Sequence, residues 1–186
     1  MDYYKILYDY EHDTNAGYIK INESSLNFNR YAVNESQPLG VDRILCEVEQ
    51  ENIGDFDYIA NNLAWLIVSK KVRELLSACN LGEHEFIQVV DAKNNEIVGF
   101  LVHSMNLLDA LDENKSVCTK KKYSIDGSDY EHLSVIKYVI ETEKVRNSDV
   151  FKLKKSNIPY FISEALKDRL VKSGVKGFDF LKVKTT

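Results

Sequence analysis

The chain has 186 residues, of which 44% are hydrophobic and 28% are charged, and this is the composition of an ordinary globular domain. The amino terminus lacks a basic region followed by an apolar stretch, and the longest apolar runs are too short to cross a membrane. Its three cysteines, Cys46, Cys79 and Cys118, are odd in number and widely spaced, which is typical of a reducing compartment. We therefore predict one soluble cytoplasmic domain of residues 1–186.

The net charge of −5 is unevenly distributed along the chain. Residues 1–93 carry eight lysines and arginines against sixteen carboxylates, whereas residues 94–186 carry sixteen against thirteen. An acidic half attracts a basic partner and repels nucleic acid. The alternative is a solvated acidic surface with no partner.

The hydrophobic pattern of the first half predicts strands at residues 3–10 and 43–49, with a polar loop or short hairpin between them. A buried strand at residues 63–68 is predicted to end at Ser69, whose hydroxyl is suited to cap the helix that follows. Two further strands, at residues 85–90 and 96–103, are joined by the turn at residues 93–95.

The second half repeats this order of elements. A strand at residues 158–162 is followed by Ser163, a helix at residues 164–172 and a strand at residues 178–183. When Ser69 is aligned with Ser163, Leu76 falls on Leu170 and Phe86 falls on Phe180 without a gap. We therefore predict an α+β fold, with an antiparallel or mixed sheet and two short helices in a repeated strand–Ser–helix–strand unit. The residues predicted to be buried together are Trp65, Leu75, Leu76, Phe86, Leu166, Leu170 and Phe180.

The sequence contains no recognisable catalytic, cofactor or metal site. The four histidines are scattered, and no glycine-rich phosphate loop or G-x-S-x-G motif is present. A Cys–His pair or a metal site that only the fold assembles stays an alternative. The basic run at residues 119–123 is predicted to be a solvated loop, because one short cationic run gives little affinity for nucleic acid.

Three segments resemble a known bacterial family. They are the W-x-x-V-S of residues 65–69, the L-D-A-L-D-x-x-x-S of residues 108–116 and the I-P-x-F-I-S-E-x-L-K of residues 158–167. The family was first catalogued as a domain of unknown function and later classed as immunity family eleven of polymorphic toxin systems. The resemblance spans about residues 57–183, so residues 57–186 are interpreted as the family core and residues 1–56 as a partner-specific part.

This resemblance implies an immunity protein that protects its producer by binding a toxin encoded beside it. We predict that it neutralises this cognate toxin domain by occlusion, without catalysis and without a nucleic-acid or membrane partner. It supplies no catalytic residues. Two other functions stay open, namely an enzyme of unrecognised type and a regulatory or scaffold binding module. A concave pocket with clustered perturbed ionisable groups would favour the enzyme.

The densest run of acidic residues in the chain, at residues 42–57, is predicted to contact the partner. If residues 43–49 form a strand, Glu47 and Glu49 project from the same face. Charge that protects an edge strand from aggregation is the alternative explanation. Four early tyrosines, at positions 3, 4, 8 and 10, are interpreted as ordinary strand residues, with an interface as their alternative role. The predicted partner-binding residues are Glu47, Glu49, Glu51, Asp55 and Asp57.

Overall fold

The computed structural model describes residues 1–10, 17–49, 55–125, 128–145 and 147–186. The strands in chain order are β1 (Tyr3–Tyr8), β2 (Tyr18–Ile21), β3 (Arg43–Val48), β4 (Ala60–Asn61), β5 (Ile67–Val68), β6 (His84–Asp91), β7 (Ile97–Ser104), β8 (Leu107–Leu108), β9 (Val117–Ile125), β10 (Ser128–Lys137), β11 (Val139–Ile140), β12 (Val150–Leu153), β13 (Ser156–Ser163) and β14 (Phe178–Thr185). The helices are α1 (Lys70–Ser77), α2 (Thr142–Val145) and α3 (Glu164–Lys172), and 3₁₀ turns form at Glu23–Ser25 and Arg30–Asn34.

The strands are arranged in two six-stranded sheets and a separate two-stranded ribbon. The first sheet has the order β11-β14-β1-β13-β12-β8, and the second has the order β4-β2-β3-β6-β7-β5. Strands β9 and β10 form the ribbon. Because β1 belongs to the first sheet while β2 and β3 belong to the second, the amino-terminal segment contributes strands to both sheets.

The predicted α+β fold class is wrong. Of the described residues, 45% lie in strands and 18% in helices, and there are three sheets instead of one. The largest omission is the ribbon, because the basic run at residues 119–123 lies in β9 and is not a loop. Residues 119–122 are all solvent-exposed, so these four residues carry none of the alternation of buried and exposed positions that predicts a strand.

Each six-stranded sheet contains one strand–helix–strand crossover with another strand inserted between its ends. Helix α1 connects β5 to β6, and β7 lies between them, antiparallel to both. Helix α3 connects β13 to β14, and β1 lies between them, again antiparallel to both. The two halves therefore contain the same split β–α–β arrangement.

Both serines predicted to start helices are helix N-caps. Ser69 has φ −66° and ψ 165°, and its hydroxyl accepts the Val72 N–H at 3.3 Å. Ser163 has φ −66° and ψ 154°, and its hydroxyl accepts the Leu166 N–H at 3.2 Å. Ser163 is also the last residue of β13, so that strand leads directly into its helix. A serine in extended conformation is suited to this position because its side chain replaces a missing backbone acceptor.

Behind each serine lies an aspartate that also contacts the other half of the molecule. The Ser69 hydroxyl donates to the Asp57 carboxylate at 2.5 Å, and the second oxygen of that carboxylate accepts the Lys176 N–H at 3.0 Å. Lys176 follows the end of α3. The start of α1 is thus connected to the end of α3 through one carboxylate.

The same connection exists in the opposite direction. The Ser163 hydroxyl donates to the Asp149 carboxylate at 2.7 Å, and the other carboxylate oxygen accepts the Asn80 N–H at 3.0 Å. Asn80 follows the end of α1. The two aspartates therefore cross-connect the two helices reciprocally, and each satisfies polar groups at a helix start and beyond a helix end.

The hydrophobic core consists of three clusters. The middle cluster joins α1 and α3 to both six-stranded sheets. It includes Leu76, Leu166 and Leu170, which are at most 2% exposed. The prediction of one buried group is wrong for Trp65, which packs with Phe28 on the other face of the second sheet. Trp65 and Leu66 belong to different clusters because successive residues of an extended chain point to opposite faces. Three other predicted core residues are only partly buried at the margin of the middle cluster, namely Leu75, Phe86 and Phe180.

We predict that Asp57→Ala and Asp149→Ala each lower the free energy of unfolding by about 1–3 kcal/mol, because each leaves a capping hydroxyl and a backbone N–H without their acceptor. Urea unfolding measures the change. Asp55→Ala is the control, since Asp55 is exposed and its loss should change stability by about 0.5 kcal/mol or less. Equal urea midpoints for Asp149→Ala and Asp55→Ala would refute the role assigned to the crossed aspartates.

Candidate functional site

The acidic segment, residues 42–57, begins in and beside β3 of the second sheet. Glu47 is an exposed residue of β3, and Glu49 directly follows this strand and is also exposed. Asp55 is exposed as well. Glu51 lies outside the described residues. Strand β3 alternates between buried Ile44 and Cys46 and exposed residues, so Glu47 projects away from the core.

The surface around Glu47 carries both signs of charge. Lys20 lies directly opposite Glu47 in the antiparallel pair of β2 and β3, and it is exposed. On the outer face of β3 itself, Glu47 is accompanied by Arg43 and by Leu45, which is 41% exposed. A partner that covers this face would therefore meet carboxylates, two cations and one apolar side chain.

Asp57 differs from the other residues of the acidic segment. Its carboxylate contacts the Ser69 hydroxyl, the Lys176 N–H and, at 3.6 Å, the Lys71 ammonium. These three partners belong to the chain itself, and they make the carboxylate part of the fold.

Two described cysteines, Cys46 and Cys79, have raised thiol pKa values. Within the residues that the structure describes, no group of three or more His, Cys, Asp or Glu side chains could hold a metal ion. Burial raises the pKa of Cys46 to about 12, and the nearby Asp91 makes a smaller contribution to this increase. The sulfur is therefore a neutral thiol at physiological pH. The Cys79 sulfur accepts a hydrogen bond from Arg169 at 3.1 Å, and burial raises its pKa as well.

A cleft of about 640 Å³ opens where β1 and β13 separate. The ladder between these strands runs from the pair Tyr3–Ser163 to the pair Lys5–Phe161 and then ends, whereas β1 stays paired with β14 as far as Tyr8. A continued register would place Pro159 opposite Leu7, beyond the last pair of the ladder.

Tyrosine rings form much of the cleft wall. Tyr8 makes edge contacts with Tyr10 and Tyr58, with ring centroids 4.9 and 5.2 Å apart. On the opposite side, the 3₁₀ turn contributes Tyr31, which is 59% exposed, and Arg30, whose guanidinium lies 4.7 Å from the Tyr31 ring centre. The segment 62–66 completes this wall.

A buried ammonium group lies directly behind the cleft. Lys152 is fully buried, and its Nζ donates to the Val33 carbonyl at 3.1 Å and to Asn34 Oδ1 at 3.0 Å. It also lies 4.8 Å from the ring centre of Tyr160. Val33, Asn34 and Tyr160 all line the cleft, so the ammonium is separated from it by a single layer of residues.

The Val33 carbonyl has a second buried neighbour. The two ring nitrogens of His103, which is fully buried, lie 3.2 Å from the Val33 oxygen and 2.8 Å from the Gln37 oxygen. Since carbonyl oxygens only accept hydrogen bonds, a neutral imidazole can satisfy one of these contacts and a protonated imidazole both. The side chains of Lys152 and His103 thus hold the segment around Val33 against the sheets.

Burial lowers the pKa of Lys152 to about 7, because its partners are neutral oxygens. The unfolded chain keeps a proton on this amine up to its ordinary pKa of 10.5, whereas the folded chain releases it near pH 7. We therefore predict that the free energy of unfolding rises from about pH 7 to about pH 10.5, by up to about 1.4 kcal/mol per pH unit from this one group.

Urea unfolding at a series of pH values tests this prediction by comparison with Lys152→Met. The free energy of unfolding of the wild type should rise relative to that of Lys152→Met as the pH increases within this interval. Lys154→Met serves as the control, because Lys154 is exposed and lies two residues further along the chain. A constant difference between wild type and Lys152→Met from pH 6 to pH 10 would contradict the assignment.

The architecture is that of a β-rich protein of two crossed split β–α–β halves with an open cleft. The chain belongs to the Immunity protein family (Imm11), whose family model matches residues 20–185. This confirms the resemblance seen in the sequence, and the matched range includes β3, which precedes the three motifs. No relative among curated proteins matches the chain. In the described part of the chain, every helix is too short or too polar to span a membrane.

Sequence reasoning missed both Lys152 and the cleft. Lys152 is followed closely by Lys154 and Lys155, and nothing in the order of residue types distinguishes the buried lysine from its two exposed neighbours. The cleft lies where the ladder of β1 and β13 ends, and this end becomes visible only when β1 is known to pair with β13.

Proposed function

We propose that this protein protects the cell that makes it by binding a cognate toxin of a polymorphic toxin system in the cytoplasm and covering the active surface of that toxin. The single observation that supports this function is the family match over residues 20–185. Inhibition by occlusion requires complementary shape, a few buried anchors and complementary charge, and it requires no reactive group in the inhibitor.

An enzyme of unrecognised type is the weaker hypothesis. The side chain that such an enzyme would use is Lys152, because an amine with a pKa of about 7 is suited to proton transfer. Its amine, however, is fully buried and donates to Val33 and Asn34, so a substrate in the cleft does not reach it. A regulatory or scaffold module would bind a partner from the host cell instead of a toxin. The identity of the partner therefore distinguishes this function from that of an immunity protein.

The function is tested by expressing the toxin domain that the adjacent gene encodes, with and without this protein, in a susceptible host. We expect growth only when both are present, and we expect the two proteins to co-purify. A toxin that kills equally well in the presence of the folded protein would rule out immunity against that toxin, as would the absence of a complex.

We further propose that the acidic segment contacts the toxin, and that residues 1–56 are the part most adapted to a particular partner. The exposure of Glu47, Glu49 and Asp55 supports their role in binding, and Glu51 belongs to the same segment. Asp57 would contribute by holding α1 in place. A toxin that acts on nucleic acid needs a basic active face, and an acidic inhibitor can mimic the phosphates.

The triple variant Glu47→Lys/Glu49→Lys/Asp55→Lys is predicted to associate with the toxin domain about tenfold more slowly at low salt, with a weaker dependence on ionic strength. Exposed charges act mainly on the rate of encounter, so the rate of dissociation should change little. Stopped-flow or biosensor kinetics at several salt concentrations measure both rates.

The matched control is Glu74→Lys/Glu83→Lys/Glu96→Lys, which makes the same change in net charge at three exposed positions outside the segment. A folded acidic-segment variant whose association rate and salt dependence equal those of this control would refute the contribution of the segment.

A further inference from the structure

The cleft between β1 and β13 differs from the acidic segment in the type of contact that it offers. Three large side chains at its rim project into solvent, namely Tyr10 at 84%, Ile158 at 63% and Tyr31 at 59% exposure. Tyrosine is enriched at the centres of protein interfaces, because it supplies a large rigid area together with a hydroxyl. The rim thus has the composition of an anchor site for another protein.

The charge of the cleft is positive. Its only charged lining residues in the described part of the chain are Lys5 and Arg30, and the buried Lys152 lies behind its wall. Arg30 is paired with Glu23 at 2.9 Å and donates to the Tyr31 hydroxyl at 2.5 Å, which fixes the position of its guanidinium beside the cleft. No carboxylate lines the cleft among the described residues. A ligand that brings a carboxylate would therefore meet Lys5 and Arg30, and it would share the Arg30 guanidinium with Glu23.

The position of the cleft relative to the family match indicates what kind of ligand it takes. Tyr8 and Tyr10 precede residue 20, where the match begins, whereas Pro159 and Trp65 lie within it. One side of the cleft, with β1 and its tyrosines, thus comes from sequence outside the family match, while the other side comes from within it. A ligand that is the same in every system would not require part of the wall to lie outside the family match. A partner that differs from one system to the next would require it.

We infer that this cleft is the surface on which the toxin docks, and that the toxin inserts a segment bearing an apolar side chain and a carboxylate between β1 and β13. This inference rests on the proposed function and specifies where the complex is anchored. The apolar group would pack between the tyrosine rings, and the carboxylate would approach Arg30. The acidic segment would then act on encounter, and the cleft would act on the lifetime of the complex.

The test uses the full-length protein and the toxin domain encoded by the adjacent gene, with association and dissociation rates measured on a biosensor. Tyr10→Ala/Tyr31→Ala should dissociate at least about thirtyfold faster than wild type, as expected for the loss of central aromatic anchors. The matched control is Val171→Ala/Leu181→Ala, which truncates two side chains of 58% and 52% exposure elsewhere on the surface, and its dissociation rate should stay within about twofold of wild type.

The charge of the inserted segment is tested separately with Arg30→Glu. This variant should associate more slowly than wild type at low salt, because the incoming carboxylate would meet a carboxylate. Faster association would show a basic segment and overturn that part of the inference. Circular dichroism establishes that each variant is folded, and hydrogen exchange of the wild-type complex should show protection at residues 58–66 and 158–160.

The outcomes separate the two proposals. If wild type binds the toxin and the tyrosine variant dissociates at the rate of its control, the cleft is not the docking surface although the proposed function stands. Protection confined to the outer face of β3 leads to the same conclusion. If wild type neither binds the toxin nor protects the host, both the function and the docking surface are overturned.

Discussion

Two carboxylates, those of Asp57 and Asp149, hold the two halves of this molecule in register. Each accepts a hydrogen bond from the serine that caps one helix and another from a backbone N–H beyond the end of the other helix. The helices can pack against both sheets in one shared cluster only if their starts and ends stay aligned in this way. Charge-assisted hydrogen bonds are well suited to this task, because they are directional and about twice as strong as neutral ones.

This constraint changes the interpretation of the acidic segment. Composition alone treats Asp55 and Asp57 as two equal members of a charged run. In the fold, the two residues have different roles. The Asp57 carboxylate accepts a hydrogen bond from Ser69, whereas the Asp55 carboxylate is exposed to solvent. The distinguishing signal was present in the sequence as a second aspartate, Asp149, which precedes Ser163 by nearly the same interval. It becomes recognisable only when the two serines are treated as one repeated position.

The elements that could be predicted are those with a local physical signature. The two helix starts follow from serine in front of an amphipathic run, and the hairpin of β6 and β7 follows from two apolar strands around an Asn-rich turn. Residues 119–122 of β9 have no such signature, because all four are solvent-exposed. The cleft could not be predicted either, since it depends on where the long-range ladder of β1 and β13 ends.

In the proposed complex, two surfaces of different charge would give the amino-terminal third of the chain a way to discriminate between partners. The outer face of β3 presents Glu47 and its neighbours, whereas the cleft presents Arg30 among tyrosines. A toxin that is basic throughout would be attracted by the first surface and repelled by the second, and a toxin that is acidic throughout would meet the reverse. Only a partner with a basic face and a protruding carboxylate would match both. Specificity of this kind depends on the mismatches as much as on the contacts, because each wrong pairing of charges lowers affinity for the competitor. The crossed aspartates would serve the same end, since two surfaces select a partner jointly only when the fold keeps them in a fixed relation.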